Sequence, residues 1–503
     1  MNGNCKLIES CWKVYSLGSN SSGQLGTGEN QDENTLVCCK FSIHSETNKL
    51  DSLSQNGFSV FEKIPVPSCM LNVANQKPPI VVGGGNHSLL YWKDLPLLYG
   101  CGSYQKNELL IGNTINSFAK GNENKTISLW TMINLPETNG NAELKNKNTI
   151  ENLIQCDCIH SKMVGVKQIS VGWNHTVLLS TTNRVYSTGD NSFGQCGIPL
   201  EDTQHKKQNG WIHINFDSVE GFEGAEISKV ECGLRHTALL TKNGHVYTWG
   251  ANSKGQLGLN VNLQEQVAKN RNKPGKNIFS PQKSNISSVF DVSCGRYHTA
   301  CLTRSSDNQE KLFLNVSGKS HLLAHIQQIG NKNVSVLSPE WDSIDLSPFL
   351  VNTDSKPHII SSWDNIFVFG TSMKPSRNDK NTFEIIGFGS NSFNILGNYN
   401  IKGDEDVLPC FINPIEEEKC GNGNHKSKHE ISSLACGSYH VVAKTTDGKV
   451  VCWGWNEHGN CGGDISRNVW PPQQLLTEHL NDCKVCSIGC GYGNTFIIST
   501  GHY

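Results

Sequence analysis

Surplus charge is the first thing missing from this sequence. Its 43 lysines and arginines face 45 aspartates and glutamates, a formal net charge of -2 over 503 residues. No global field is available to hold nucleic acid or anionic lipid, so direct DNA binding is not expected. Also missing is any apolar run near the roughly 20 residues of a membrane-spanning helix. The opening MNGNCKLIESCWK has no apolar stretch of a secretory signal. These absences predict an intracellular protein that does not enter membranes, cytoplasmic with the nucleus also open to it. In that compartment the 20 cysteines are reduced thiols and act as small buried hydrophobes.

Signs of catalysis are missing too. There is no Walker loop, and the glycine strings GGGNH and GCGYG do not sit between a strand and a helix as a nucleotide cradle requires. Nothing signals a Ser/His/Asp set. The expectation is a protein that is not an enzyme and holds neither cofactor nor resident metal.

What is present is an internal repeat. VYSLGSNSSGQLG from Val14 returns as VYSTGDNSFGQCG from Val185, VYTWGANSKGQLG from Val246, IIGFGSNSFNILG from Ile385 and VCWGWNEHGNCG from Val451. The recurring positions are Gly18, Asn20 and Gly26; Gly189 and Asn191; Gly250 and Asn252; Gly389 and Asn391; and Gly454, Asn456 and Gly462. A further copy is marked by Gly100 in LLYGCGSYQKNELLIG. A second unit of the form G-x-x-H keeps step with the first, centred on His87, His175, His236, His298 and His440, with Asn494 in the histidine's place in the last copy. Between the two units, TALLTKNGHVYTWG reads as strand, Asn-Gly turn, strand. Its alternation predicts strands with one buried face.

The interval from Gly250 to Gly389 is about twice the others, so a blurred copy belongs there. The stretch Lys311–Gly318 is its best candidate, which brings the count to seven. Seven glycine-punctuated β units without helical periodicity predict an all-β, seven-bladed β-propeller over residues 1–503. The chain opens on the VYSLG half of one hairpin and closes on the NTFIIST half. Val14 to Leu17 is therefore expected to pair with Thr495 to Ser499, closing the ring through a split blade. Polar stretches at 103–160, 262–285, 371–383 and 416–430 read as mobile insertions.

These motifs resemble the repeats of the regulator of chromosome condensation family of seven-bladed propellers, over essentially the whole chain. Within it, CWGWNEHGNCG, GGGNHS, ISVGWNHT and the short end after the last strand are similar to the fungal alpha-tubulin suppressor, or killer-toxin-insensitivity, branch. That resemblance implies binding to a small metal-binding diphthamide-biosynthesis electron carrier, in support of Elongator-dependent tRNA wobble-uridine modification and diphthamide synthesis. The alternative it carries is a guanine-nucleotide exchange factor for a small GTPase. Only Lys6 and Lys13 precede Val14 as basic residues, unlike the basic tail of the chromatin-bound member, so nucleosome binding is not implied.

The chemically suggestive residues have plainer readings. The five repeat histidines fall in different blades and read as hydrogen-bonded core groups rather than a metal cluster. Cys483-Lys-Val-Cys486 with Cys490, and Cys156-Asp-Cys158-Ile-His160, lack the second pair of ligands a zinc site needs. The basic run Lys269–Lys276 reads as a solvated loop. That leaves recognition of a partner by a protein otherwise monomeric. Trp455, Glu457, His458, Trp173 and Trp363 are the variable, anchor-like positions between the fixed residues.

Overall fold

The computed structural model describes residues 7–44, 58–109, 125–137, 163–199, 210–259, 277–305, 311–318, 334–338, 341–351, 356–374, 383–397, 407–412, 430–475 and 484–500. Their strands form seven sheets, the blades of a propeller. Blade 1 joins Val485–Cys490, Asn494–Thr500, Leu7–Gly18 and Glu33–Cys38. Blades 2 to 7 begin at Ile80, Val166, Ile227, Val289, His358 and Ile431.

The ring closes as the chain ends foretold. Val14 pairs with Ile498 and Leu17 with Thr495, in a register running from Trp12–Thr500 to Gly18–Asn494. The blurred copy is the third strand of blade 5, Leu312–Gly318, whose Gly318 stands opposite His298.

One marker needs correcting. Opposite His87 lies Gly102, not Gly100, and Gly102 has the positive φ of 106° that the other markers share. In this copy Tyr104 takes the asparagine's place, left-handed Asn107 that of a glycine, and Glu108 that of the usual glutamine.

The expectation of one buried face per strand is also corrected. His236–Thr241 and Val246–Ala251 are buried at every position, because neighbouring blades cover both faces of the middle strands. Trp249, Trp341 and Trp453 fill these interfaces, and each indole N–H donates to a carbonyl of the preceding blade, Gln195, Gly258 and Ile395 respectively. Burying about 200 Å² of such a ring contributes roughly 5 kcal/mol before entropy is charged.

Parts of the stretches read as insertions are outer strands. Thr126–Met132 is the fourth strand of blade 2, with Trp130 fully buried and Phe41–His44 paired to its far side, and Asn277–Lys283 completes blade 4 with Ile278 buried. Residues 371–373 end the second strand of blade 6 and Phe383 begins its third. Outer strands face solvent on one side, so their polar composition imitates a loop. Residues 416–429 lie outside the described residues.

Two devices make the repeat. In the turn after the third strand, the asparagine side-chain carbonyl accepts the backbone N–H five residues on: Asn20 from Leu25, Asn191 from Cys196, Asn252 from Leu257, Asn391 from Leu396 and Asn456 from Cys461, at 2.8–3.1 Å. The marker glycine before it, Gly250 with φ 107°, brings the chain so close that a Cβ would press on Arg235 O and His236 Cα. Gly18, Gly189, Gly389 and Gly454 share that left-handed φ, as do Gly26 and Gly462 at the turn's end.

The second device is a staple between blades. His87 Nε2 meets Thr176 Oγ1 of the next blade at 3.2 Å, His175 meets Thr237 at 3.1 Å, His236 meets Thr299 at 3.2 Å and His440 meets Thr495 at 3.1 Å. His298 meets Ser361 at 3.2 Å. The glycine three residues ahead is there for the ring, since a Cβ on Gly172, Gly233, Gly295 or Gly437 would overlap the imidazole that follows. Blade 6 has Asn365 in place of the histidine, and blade 7 has Val441 in place of the threonine. Donor and acceptor are absent together.

Candidate functional site at the channel mouth

The first strands of all seven blades line a central cavity of about 280 Å³, with Val81, Ile169, Glu231, Ser293, Ile360, Leu434 and Ile488 among its walls. Each first strand leads into the two variable residues of G-x-x-H or its asparagine version. These loops meet over one end of the cavity.

A closed circuit of backbone hydrogen bonds ties them together. Gly85 N donates to Trp173 O, Trp173 N to Leu234 O, Leu234 N to Gly295 O, Arg296 N to Trp363 O, Trp363 N to Ser438 O, Ser438 N to Tyr492 O and Tyr492 N to Gly84 O, at 2.8–3.3 Å. Every blade is thereby joined to the next at the rim, and the side chains there stand on a rigid base.

Five of those side chains are aromatic: Trp173, Tyr297, Trp363, Tyr439 and Tyr492. Trp173, Trp363 and Tyr492 form a mutually touching trio with centroids 5.5–5.8 Å apart. Contacts continue from Trp363 to Tyr439 at 5.6 Å, Tyr439 to Phe393 at 4.9 Å, Phe393 to Trp455 at 6.1 Å and Trp455 to His458 at 5.0 Å. All are half-buried or exposed. Phe393 is 37% exposed in a left-handed conformation, φ 62°, which a bulky residue adopts only at a cost.

Charged groups frame the rings. Arg296 lies 5.1 Å above Trp363 and 4.9 Å above Tyr297, and Tyr439 donates its hydroxyl to Asp364 at 2.5 Å. Burial first, then the Asp364 carboxylate, pushes the Tyr439 phenol upward, so it stays a donor. Where blade 7 meets blade 1, His458 Nδ1 lies 2.6 Å from Asp32, and Trp455 donates to Glu457 at 3.2 Å.

Trp173, Trp363, Trp455, Glu457 and His458 thus fall in one patch. Sequence reasoning missed Tyr492, Tyr439, Phe393, Arg296, Tyr297 and Asp364. All but Phe393 occupy the variable positions of the same G-x-x-H pattern, which was the available signal.

Among the described residues no three His, Cys, Asp or Glu side chains converge as metal ligands. Cys483, Cys156, Cys158 and His160 lie outside the described residues. Cys490 shares the cavity wall with Cys232, Cys294 and Cys436, and burial pushes the Cys232 thiol up to about 12. The five staple histidines face neighbouring blades rather than a common centre, and burial lowers them to about 3 or 4.

A family model of the RCC1-like domain matches residues 13–497. The chain belongs to the RCC1-like domain family. It is 23% identical over 498 residues to the secretion-regulating guanine nucleotide exchange factor of Bos taurus, across 96% of this chain and 82% of that protein. To the probable E3 ubiquitin-protein ligase HERC6 of Homo sapiens it is 28% identical, across 67% of this chain. The chain spans 28% of the length of that ligase and 64% of the Mus musculus secretion-regulating exchange factor. In structure, Prp20p of Saccharomyces cerevisiae, described with its binding to Gsp1p and histones, matches with a TM-score of 0.61 at 16% identity, covering 99% of this chain and 94% of that one.

Proposed function

We propose that this RCC1-like propeller is a docking protein that supplies no covalent chemistry and acts as a guanine-nucleotide exchange factor for a small GTPase. The observation that carries the reading is the continuous aromatic patch on a rim tied blade to blade by backbone hydrogen bonds. Half-buried aromatic anchors framed by polar groups are the composition of protein interfaces. A rim tied from blade to blade by backbone hydrogen bonds shifts the strain of fitting toward the partner. Exchange then follows when the face binds the nucleotide-free GTPase more tightly than the loaded form, since only that difference shifts the equilibrium.

The relatives support the GTPase as the partner class, because proteins named as exchange factors align with 66% and 96% of this chain at 23% identity. For that reason exchange is preferred to the small metal-binding carrier of diphthamide synthesis and the link to Elongator, a name that no relative reported above bears.

The test is capture from nucleotide-depleted extract on the immobilised protein. A small GTPase should be retained, released by added GTP and lost with Trp455→Ala or Trp173→Ala. Retention of a small metal-binding protein that GTP does not release would overturn the reading.

A further inference from the structure

We infer that Cys452 and Cys461 form an oxidisable dithiol, a modification site that becomes an internal disulfide beneath the turn carrying Trp455, Glu457 and His458. Cys452 lies in the third strand of blade 7, Val450–Gly454, and Cys461 in the turn that follows. In blades 1, 3 and 4 the first position carries a hydroxyl that donates to the backbone carbonyl of the second: Ser16 to Leu25 at 3.1 Å, Ser187 to Cys196 at 2.8 Å and Thr248 to Leu257 at 2.8 Å. The repeat therefore brings these two positions together by construction, and blade 7 carries sulfur at both.

The two Sγ atoms are 2.8 Å apart. At that separation the two sulfurs are in direct contact without the ~2.05 Å of a disulfide bond. Both cysteines are free thiols, 0% and 2% exposed. Little movement separates this pair from a covalent bond, whereas blade 3, with Ser187 against Cys196, has the same geometry with a single sulfur.

Hydrogen peroxide is a sufficient oxidant. One sulfur, as thiolate, attacks a peroxide oxygen and becomes a sulfenic acid, and the hydroxide released takes up that thiol's proton. The other sulfur then attacks the sulfenic sulfur, loses its own proton and expels the hydroxyl as water. Two thiols and one peroxide give one disulfide and two waters. Burial holds the Cys452 thiol well above its ordinary value, so the reaction is slow and its product is shielded from reductants. The modification acts as a lasting mark that ties the third strand to the turn beneath the aromatic patch.

Both cysteines fall in one tryptic peptide, Val450–Arg467. The full-length protein, treated with peroxide while folded, then unfolded, alkylated and digested, is expected to yield this peptide without alkyl groups and lighter by two hydrogen atoms. Reduction before alkylation should restore two alkyl groups. The variant Cys461→Leu, which installs the residue found at Leu25 and Leu257, should fold and take one alkyl group. The inference is overturned if both thiols are alkylated after peroxide that has oxidised the half-buried Cys38, or if Cys452 is found joined to Cys490. This mass readout does not depend on the exchange-factor reading, so either can fail without the other.

Discussion

His440 of blade 7 and Thr495 of blade 1 are joined at 3.1 Å beside the seam where the ring closes. Thr495 Oγ1 donates its own proton to the carbonyl of Asn460 at 2.7 Å, so it accepts from the imidazole, and His440 carries its proton on Nε2. His236, Thr299 and the carbonyl of Gln256 repeat the arrangement between blades 4 and 5.

Replacing Thr299 with Val keeps the shape but leaves His236 Nε2 without its partner and the Gln256 carbonyl with only the Ser317 hydroxyl, at 3.2 Å, at a cost of about 2 kcal/mol. His236→Ala opens a cavity as well and is expected to cost about 3 kcal/mol. In urea unfolding the double variant should lose about 1 kcal/mol less than the sum of the two. Strict additivity would contradict the bond.

The same burial sets a pH dependence. His87, His175 and His298 are held at about 3, and His236 and His440 at about 4, against 6.5 in an exposed chain. The unfolded chain takes up protons that the folded one refuses, so this contribution is complete above about pH 6.5 and is lost as pH falls toward 4. Each histidine weakens the fold by about 1.4 kcal/mol per pH unit across that window. Thermal melts from pH 7 to 4.5 should show a steep decline, and a flat profile would count against buried neutral imidazoles.

Glu108 acts in the opposite direction. Burial, then the nearby charge of Asp190, pushes its carboxyl up to about 7, against the opposing pull of the Glu108 and Lys106 N–H groups. The folded state keeps a proton that the unfolded chain releases above about 4.5, so stability is lost as pH rises through 7. Glu108→Gln, the residue type at Gln24, Gln195 and Gln256, should raise stability by about 2–3 kcal/mol at pH 8. The gain should vanish at pH 4.5, as guanidinium unfolding at the two pH values can show.

Deleting residues 7–18 removes the strand that pairs with Asn494–Thr500, Glu33–Cys38 and Lys63–Pro67. The loss opens the ring rather than fraying an end. A sharp calorimetric transition should be replaced by a broad one, and an unchanged melt would contradict closure through blade 1.

The ring was legible in the sequence because its fixed residues answer to local geometry: left-handed glycines, an asparagine that bonds five residues ahead and a glycine that makes room for histidine. Legibility failed where a local need had another solution. In blade 2, Tyr104 and Asn107 replace the asparagine and a glycine, which hid Gly102 as the marker. Outer strands such as Asn277–Lys283, half in water and carrying a proline, read as loop. The aromatic patch was partly legible, since Trp455, Trp173 and Trp363 stand out one at a time. Tyr439, Tyr492 and Phe393 did not, because their meaning is a contact between residues far apart in the chain that only ring closure brings together.

The most direct measurement is the release of fluorescent GDP from a panel of purified small GTPases, with excess GTP, in the presence and absence of this protein. Release from at least one GTPase should be accelerated about tenfold or more. With Trp455→Ala, a loss of about 2 kcal/mol at an aromatic anchor, that acceleration should fall by more than an order of magnitude. Release unchanged for every GTPase in the panel, or accelerated equally by the intact protein and by a Trp455→Ala, Trp173→Ala variant, would contradict exchange at the aromatic patch.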